Sequence, residues 1–232
     1  MKKNTNILAI ETSTEACSVA LLTDKDQLFS EFALTPRQHT QYLPRMMDSV
    51  LVQAGLFKKD LTHIAYASGP GAFTGVRIAA STAQGISIGL NIPLVAISTL
   101  AILAQHCHNL HHSKRIMAAL DARMGEAYVG HYQLDNASGL VELNGRESLI
   151  KLDQLVAPEG YFLAGSGFMA CREAGYPVTA NETIDEELLP HASALVQLAQ
   201  QAVTQGRTLS ADQIQINYIR NKVAEKKQVS SI

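Results

Sequence analysis

The stretch Gly69-Pro70-Gly71-Ala72-Phe73-Thr74-Gly75-Val76-Arg77 has residue types suited to chemistry. Glycines in a turn that opens a helix bring backbone N–H groups close to an anion. Gly69, Gly71, Thr74 and Arg77 are therefore candidate anion or nucleotide contacts. The loop has no Lys-Ser/Thr ending, so it is not a Walker loop. A tight strand-to-helix turn that uses glycine at positive φ is the commoner use of such residues.

Three further groups could act as acid or base: Glu11, His39 and Asp121. A buried carboxylate paired with Arg77 or Arg123 is the plainer account of the two acids. Glu11, Asp121 and Arg123 join the candidate anion contacts. His106, Cys107, His108, His111 and His112 resemble a metal cluster, with residues 108 and 112 one helical turn apart. Structural zinc sites draw ligands from two separated pairs, so surface histidines in a linker are expected and no metal site is assigned. Cys17 reads as a core strand residue, and no catalytic residue is assigned.

The elements that must position these residues follow from periodicity. Apolar runs at 7–11, 16–22 and 27–34, joined by short polar turns, read as an antiparallel meander. Leu43, Met46, Met47, Val50, Leu51 and Ala54 form one face of a helix. Pro44 fits its first turn if the helix begins near Leu43, and Gly55 is a natural stop. A strand at 63–67 leads into the glycine turn. Thr74 is expected to cap a second helix running to about Leu90. A strand at 94–97 and a third helix capped by Ser98 or Thr99 follow.

Residues 106–114 read as a polar, irregular boundary. Beyond it three strands are expected again, at 115–121, 127–133 and 140–149. A helical turn at 152–156, a strand at 161–164, a short helix ending at Gly175 and a clear helix at 190–205 complete the pattern. The implied fold is α/β: two lobes, each with a mixed sheet flanked by helices, the second shortened. The expected division is 1–106, 107–211 and a polar tail at 212–232, whose basic residues suit either RNA phosphate or solvent.

The 232-residue chain is 47% hydrophobic and 17% charged, so a real core is expected. The formal net charge of -2 lacks the basic excess of a protein that grips nucleic acid alone. Aromatics at 6%, without Trp, disfavour base-stacking platforms. Three widely spaced cysteines fit a reducing compartment. Residues 78–113 contain no Asp, Glu, Lys or Arg, but Gln84, Gly85, Asn91 and Pro93 interrupt them. No membrane span is expected there, and a cytoplasmic location fits.

Two lobes that each begin with three strands resemble the actin, hexokinase and Hsp70 type of fold. The hairpins at 10–18 and 120–128 and the turn Gly165-Ser166-Gly167 stand where nucleotide-binding members hold phosphate and adenosine. The first lacks its glycine. The glycine turn at 69–77, with Pro36-Arg37-Gln38-His39-Thr40 and Asp121-Ala122-Arg123-Met124-Gly125-Glu126, closely resembles the bacterial TsaB (YeaZ) family. The likeness extends to the Tyr218-Ile219-Arg220 tail.

The resemblance implies an accessory, non-catalytic subunit of the machinery that makes threonylcarbamoyladenosine in tRNA. It implies a heterodimer with the catalytic paralogue TsaD, an ATPase partner TsaE, tRNA reached through the complex, and a homodimer as a competing state. A separate enzyme would supply the threonylcarbamoyl-adenylate donor. ATP and metal are expected on the partner subunits, with no tightly bound cofactor here. The paralogue carries a His-x-x-x-His metal pair where this chain has Thr99 and Leu103. Neither is a competent replacement for imidazole.

The first two helices then have two readings. Leu43, Met46, Met47 and Val50, with Gly75, Ala79 and Ala83, are either sheet-facing or half of an intermolecular four-helix bundle. The resemblance favours the bundle. A stand-alone ATPase or kinase-like enzyme and a metallopeptidase-like protein are the alternatives. The missing hairpin glycine opposes the first and the missing imidazoles oppose the second.

Overall fold

The computed structural model describes residues 5–178 and 183–220. The first sheet starts as a meander of β1 (Ile7–Glu11), β2 (Ala16–Leu22) and β3 (Leu28–Leu34). It continues through α1 (His39–Ala54), β4 (His63–Ala67), α2 (Phe73–Leu90) and β5 (Leu94–Ile97). Strand order is β3-β2-β1-β4-β5, with β4 parallel to β1 and β5 parallel to β4.

Every residue of β1 and β2 is buried, because helices cover both faces of the sheet. Leu8 and Ile10 pack with Leu43, Val50, Ala79 and Ala83 of α1 and α2. Ile7 and Ala9 point the other way, onto Leu195 and Ala199 of α5 (Ala192–Thr204). The edge strand β3 alternates between exposed and half-buried residues.

The second sheet comprises β6 (Arg115–Arg123), β7 (Glu126–Asp135), β8 (Leu140–Leu143), β9 (Ser148–Lys151), β10 (Phe162–Ala164) and β11 (Ile184–Asp185). The order is β11-β10-β6-β7-β8, and β9 also pairs with β7. Helix α3 (Thr99–His111) enters this lobe, and α4 (Ser166–Glu173) packs on β6. Two mixed sheets flanked by helices reproduce the expected duplicated fold.

Several local expectations change. Helix α1 begins four residues before Leu43, so Pro44 is its sixth residue and withholds the N–H that would reach the Thr40 carbonyl. Both residues are exposed, so water can serve that carbonyl. Thr74 does not cap α2: the helix starts at Phe73, with Ala72 in extended backbone before it. Ser98 does cap α3, its Oγ accepting from the Leu100 N–H at 3.2 Å.

The expected strand over 140–149 is two strands, split by a turn in which Gly145 has φ 91° and the Asn144 N–H returns to the His131 carbonyl. Residues 106–111 are not an irregular linker but the last turns of α3. Leu100, Leu103, Ala104 and Cys107 bury against β6, while Ile102 of the same helix buries against the first lobe. The boundary expected after residue 106 therefore falls inside a helix shared by both lobes. Among the described residues, no helix is long and apolar enough to cross a membrane.

Candidate functional site

The glycine turn leaves β4 and closes against the first hairpin. Its tightness is steric. A Cβ on Gly75 would stand 1.9 Å from the Thr12 carbonyl oxygen, and one on Gly71 would stand 2.5 Å from that of Ser13. Hydrogen bonds reinforce the contact: the Ala72 N–H donates to the Ser13 carbonyl at 2.7 Å, and Thr12 Oγ1 to the Gly75 carbonyl at 2.8 Å. Two segments that could each face a phosphate are instead locked together.

Glu11 lies beneath this junction, fully buried. Its Oε1 accepts from both the Ser13 N–H and the Ser13 Oγ at 2.5 Å, while Oε2 has no hydrogen-bond partner. Burial pushes its carboxyl up to about 7, with the two Ser13 bonds pulling the other way. His39, at the start of α1, spans the same hairpin, its Nε2 lying 3.0 Å from the Thr14 carbonyl and 3.2 Å from that of Ala16. Its role in this structure is to pin the turn.

Among the described residues, Arg77 does not pair with an acid. Its guanidinium lies 3.2 Å from the Phe73 ring centroid and donates to the Phe73 carbonyl at 3.0 Å. The Tyr218 ring is a second neighbour, at 5.2 Å.

The matching hairpin of the second lobe is open. Asp121 Oδ2 pairs with Arg123 at 2.9 Å and its Oδ1 accepts the Arg123 N–H at 2.7 Å, with the Arg123 side chain 86% exposed. Arg123 and Met124 both have positive φ at the tip. No hydrogen bond or ion pair among those found for the described residues joins Glu11, the glycine turn or Arg77 to Asp121 or Arg123. Arg37, also at positive φ, stands exposed in the turn before α1.

The third nucleotide-type turn is also closed. A Cβ on Gly165 would meet the Ala119 carbonyl at 2.5 Å and the Leu103 side chain at 2.6 Å. Thr99 and Leu103 are both completely buried, and Thr99 Oγ1 has no hydrogen-bond partner.

The seven residues read as an interface look mostly inward. Leu43, Met46, Val50, Gly75, Ala79 and Ala83 are buried in this chain's own core, and Met47 is half-buried beside it. The stripe that periodicity marks is the stripe that seats each helix on the sheet. The outward sides carry different residues: Tyr42, Val52, Phe73 and Ile88 are large and exposed.

The described part of the tail is packed as well. Ile214 and Ile216 pack on the first core. The Tyr66 hydroxyl donates to the Gln215 carbonyl at 2.9 Å and accepts its N–H at 3.0 Å. The Asn217 N–H donates to the Ser68 carbonyl, and its side chain to Glu147 Oε2 at 2.9 Å. Arg220 then pairs with Glu126 of the second hairpin. Glu147 also accepts from Ser98 and from the Tyr132 hydroxyl, so one carboxylate ties the cap of α3, the second sheet and the tail together. Nothing in local sequence marked Glu147 or Asn217, since even the nearest of their partners is 15 residues away.

The histidine cluster disperses along α3. His106 Nδ1 lies 2.8 Å from the Leu189 carbonyl, His108 Nδ1 lies 2.9 Å from the Ser113 carbonyl, and His111 pairs with Asp185. Among the described residues no group of three His, Cys, Asp or Glu is placed to hold a metal.

Comparison with known proteins agrees with this geometry. The family model for tRNA N6-adenosine threonylcarbamoyltransferase (TsaD) matches residues 33–224. The tRNA threonylcarbamoyladenosine biosynthesis protein TsaB of Escherichia coli is 37% identical over 227 residues, covering 95% of this chain and 97% of that protein. The protein of that name from Haemophilus influenzae is 35% identical, covering 97% and 98%. The solved structure of YeaZ from Pseudomonas aeruginosa superposes with a TM-score of 0.85 at 39% identity, covering 92% of this chain and 99% of that one. Likeness at this level, over nearly the full length of both partners, in sequence and in fold, means that the chain belongs to the TsaB (YeaZ) family.

Proposed function

We propose that this chain serves threonylcarbamoyladenosine formation in tRNA as a non-catalytic subunit. It docks on the catalytic paralogue TsaD and, with the ATPase TsaE, supports transfer of the threonylcarbamoyl group to the adenosine beside the anticodon. The observation that carries the reading is near-full-length kinship with proteins named for this biosynthesis. The non-catalytic part is supported by burial. Thr99 and Leu103, where the resemblance places the paralogue's metal pair, lie inside the core. The first hairpin and the glycine turn, either of which could face a phosphate, are packed against each other. ATP and metal then belong on the partner subunits.

Docking through α1 and α2 must use their outward sides, because the inward stripe is occupied. Tyr42, Val52, Phe73 and Ile88 supply exposed apolar surface there, and the homodimer would compete for the same face. Mechanistically, binding must favour the active form of TsaD through contacts absent from its inactive form.

The test is reconstitution. Tenfold or greater loss of tRNA modification when this chain is omitted from TsaD, TsaE, tRNA and the adenylate donor is expected; a full rate without it would refute the reading. Val52→Glu and Ile88→Glu should abolish co-purification with TsaD while leaving the fold intact, since both side chains already face water.

A further inference from the structure

We infer that the far end of the second lobe carries a phosphate-binding cleft, built around Lys114 and Arg115, that takes the backbone of RNA. The cleft has a volume of about 360 Å³ and is walled by Ser113, Lys114, Arg115, Tyr161, Phe162 and Thr183. It opens where β6 and β10 begin, at the opposite ends of those strands from the 121–126 hairpin.

Among the described residues neither Lys114 nor Arg115 has a carboxylate partner, unlike Arg123, Arg172 and Arg220. The side-chain hydroxyls of Ser113, Tyr161 and Thr183 likewise have no protein partner among the hydrogen bonds of the described residues. Two unneutralised cations beside three free hydroxyls suit the oxygens of a phosphate, which accepts from both kinds of donor.

The walls are held in place by neighbours that do not consume these donors. The Ser113 carbonyl meets His108, the Lys114 carbonyl accepts the Leu134 N–H, and the ring of Tyr161 stands edge-on to His131 at 5.7 Å. The ring of Phe162 is stacked on His111 at 4.5 Å, and the Asp185 carboxylate is engaged by that histidine at 3.0 Å. The space falls within the range of ligand clefts and is larger than one phosphate needs, which favours a phosphodiester with its sugar over a free ion.

The assignment of RNA rests on the function proposed above. It also resolves an oddity of composition: a chain with a net charge of -2 cannot hold tRNA by a general basic surface, but a local pair of cations can contribute contacts to a complex that others hold.

The test uses the assembled complex. Lys114→Ala/Arg115→Ala should weaken tRNA binding about tenfold near physiological salt and shrink the slope of log affinity against log salt by about 1.5. The charge-keeping swap Lys114→Arg/Arg115→Lys should bind as wild type. Both side chains are exposed, and an unchanged melting midpoint checks that the fold survives. Unchanged affinity and slope in the alanine variant would overturn the inference. So would saturation of the cleft by inorganic phosphate at low millimolar concentration without competition from tRNA, or protection of Lys114 from acylation by TsaD alone rather than by tRNA. If the wild-type chain proves dispensable for modification, the function proposed above fails; if it is required and the alanine variant binds tRNA normally, only the cleft fails.

Discussion

The two hairpins that open the two lobes occupy equivalent places in a duplicated fold and have opposite fates. In the first, Thr12 and Ser13 are buried and interlocked with Gly71 and Gly75, above the buried Glu11 carboxyl, which has no ion partner among the described residues. In the second, Arg123, Met124 and Gly125 face solvent and are tied down from outside by Arg220. One turn has become core and the other surface. A place that can hold a ligand is stable without one only if packing or water takes over its polar groups, and the two lobes took different options.

Glycine replacement should separate the hairpins most sharply. Gly75→Ala must drive a methyl into the Thr12 carbonyl, and a loss of about 3 kcal/mol or more is expected from overpacking against backbone. Gly125→Ala meets nothing within 4 Å and suffers only from its φ of 74°, for about 1 kcal/mol. Denaturant unfolding of both variants checks the difference; equal losses would mean that the first turn is not a packed junction.

Glu11 gives the next largest effect. Its folded value of about 7 lies above the ordinary 4.5, so the folded state holds the proton more tightly than the unfolded chain. Stability from this group is complete below pH 4.5 and is lost as pH rises toward 7. Glu11→Gln, which keeps an acceptor for Ser13, should gain about 2 kcal/mol on wild type between pH 5 and pH 8. A pH-independent difference between the two proteins would show that the carboxyl is not desolvated. Arg220→Ala, at the second hairpin, should cost only about 0.5 kcal/mol, as partly exposed ion pairs do. It should raise amide exchange at 123–126 and leave 11–15 unchanged.

Much of the architecture could be read from residue order. Strands β1, β2, β4 and β5 and helix α2 lie where apolar runs and glycine or proline punctuation place them, because those signals are local. The errors have physical causes. Helix α3 runs on through His106, His108 and His111 because its other side is buried by Leu103 and Cys107, so a polar half looked like a linker. The split between β8 and β9 turns on one left-handed glycine. The packing of the tail has no mark in the sequence because its anchors, Ile214 and Ile216, are isolated apolar residues whose partners lie more than a hundred positions earlier. The helix stripe at Leu43 to Val50 fits a core-facing side and a docking face equally, because periodicity reports that a side is apolar, not what covers it. The first hairpin and the turns at 69–77 and 165–167 can be read as turns in the sequence, but their closure depends on approaches between backbones that no pattern records.

The covering of the first sheet by α5 has a consequence for biosynthesis. Ile7, Ala9, Ala65 and Val95 leave the ribosome well before the surface that shields them, Ala192 through Ala202. The first sheet must therefore wait with one apolar side uncovered until α5 has emerged. Truncation before residue 192 leaves the same side bare, which makes α5 a condition for solubility of the first sheet.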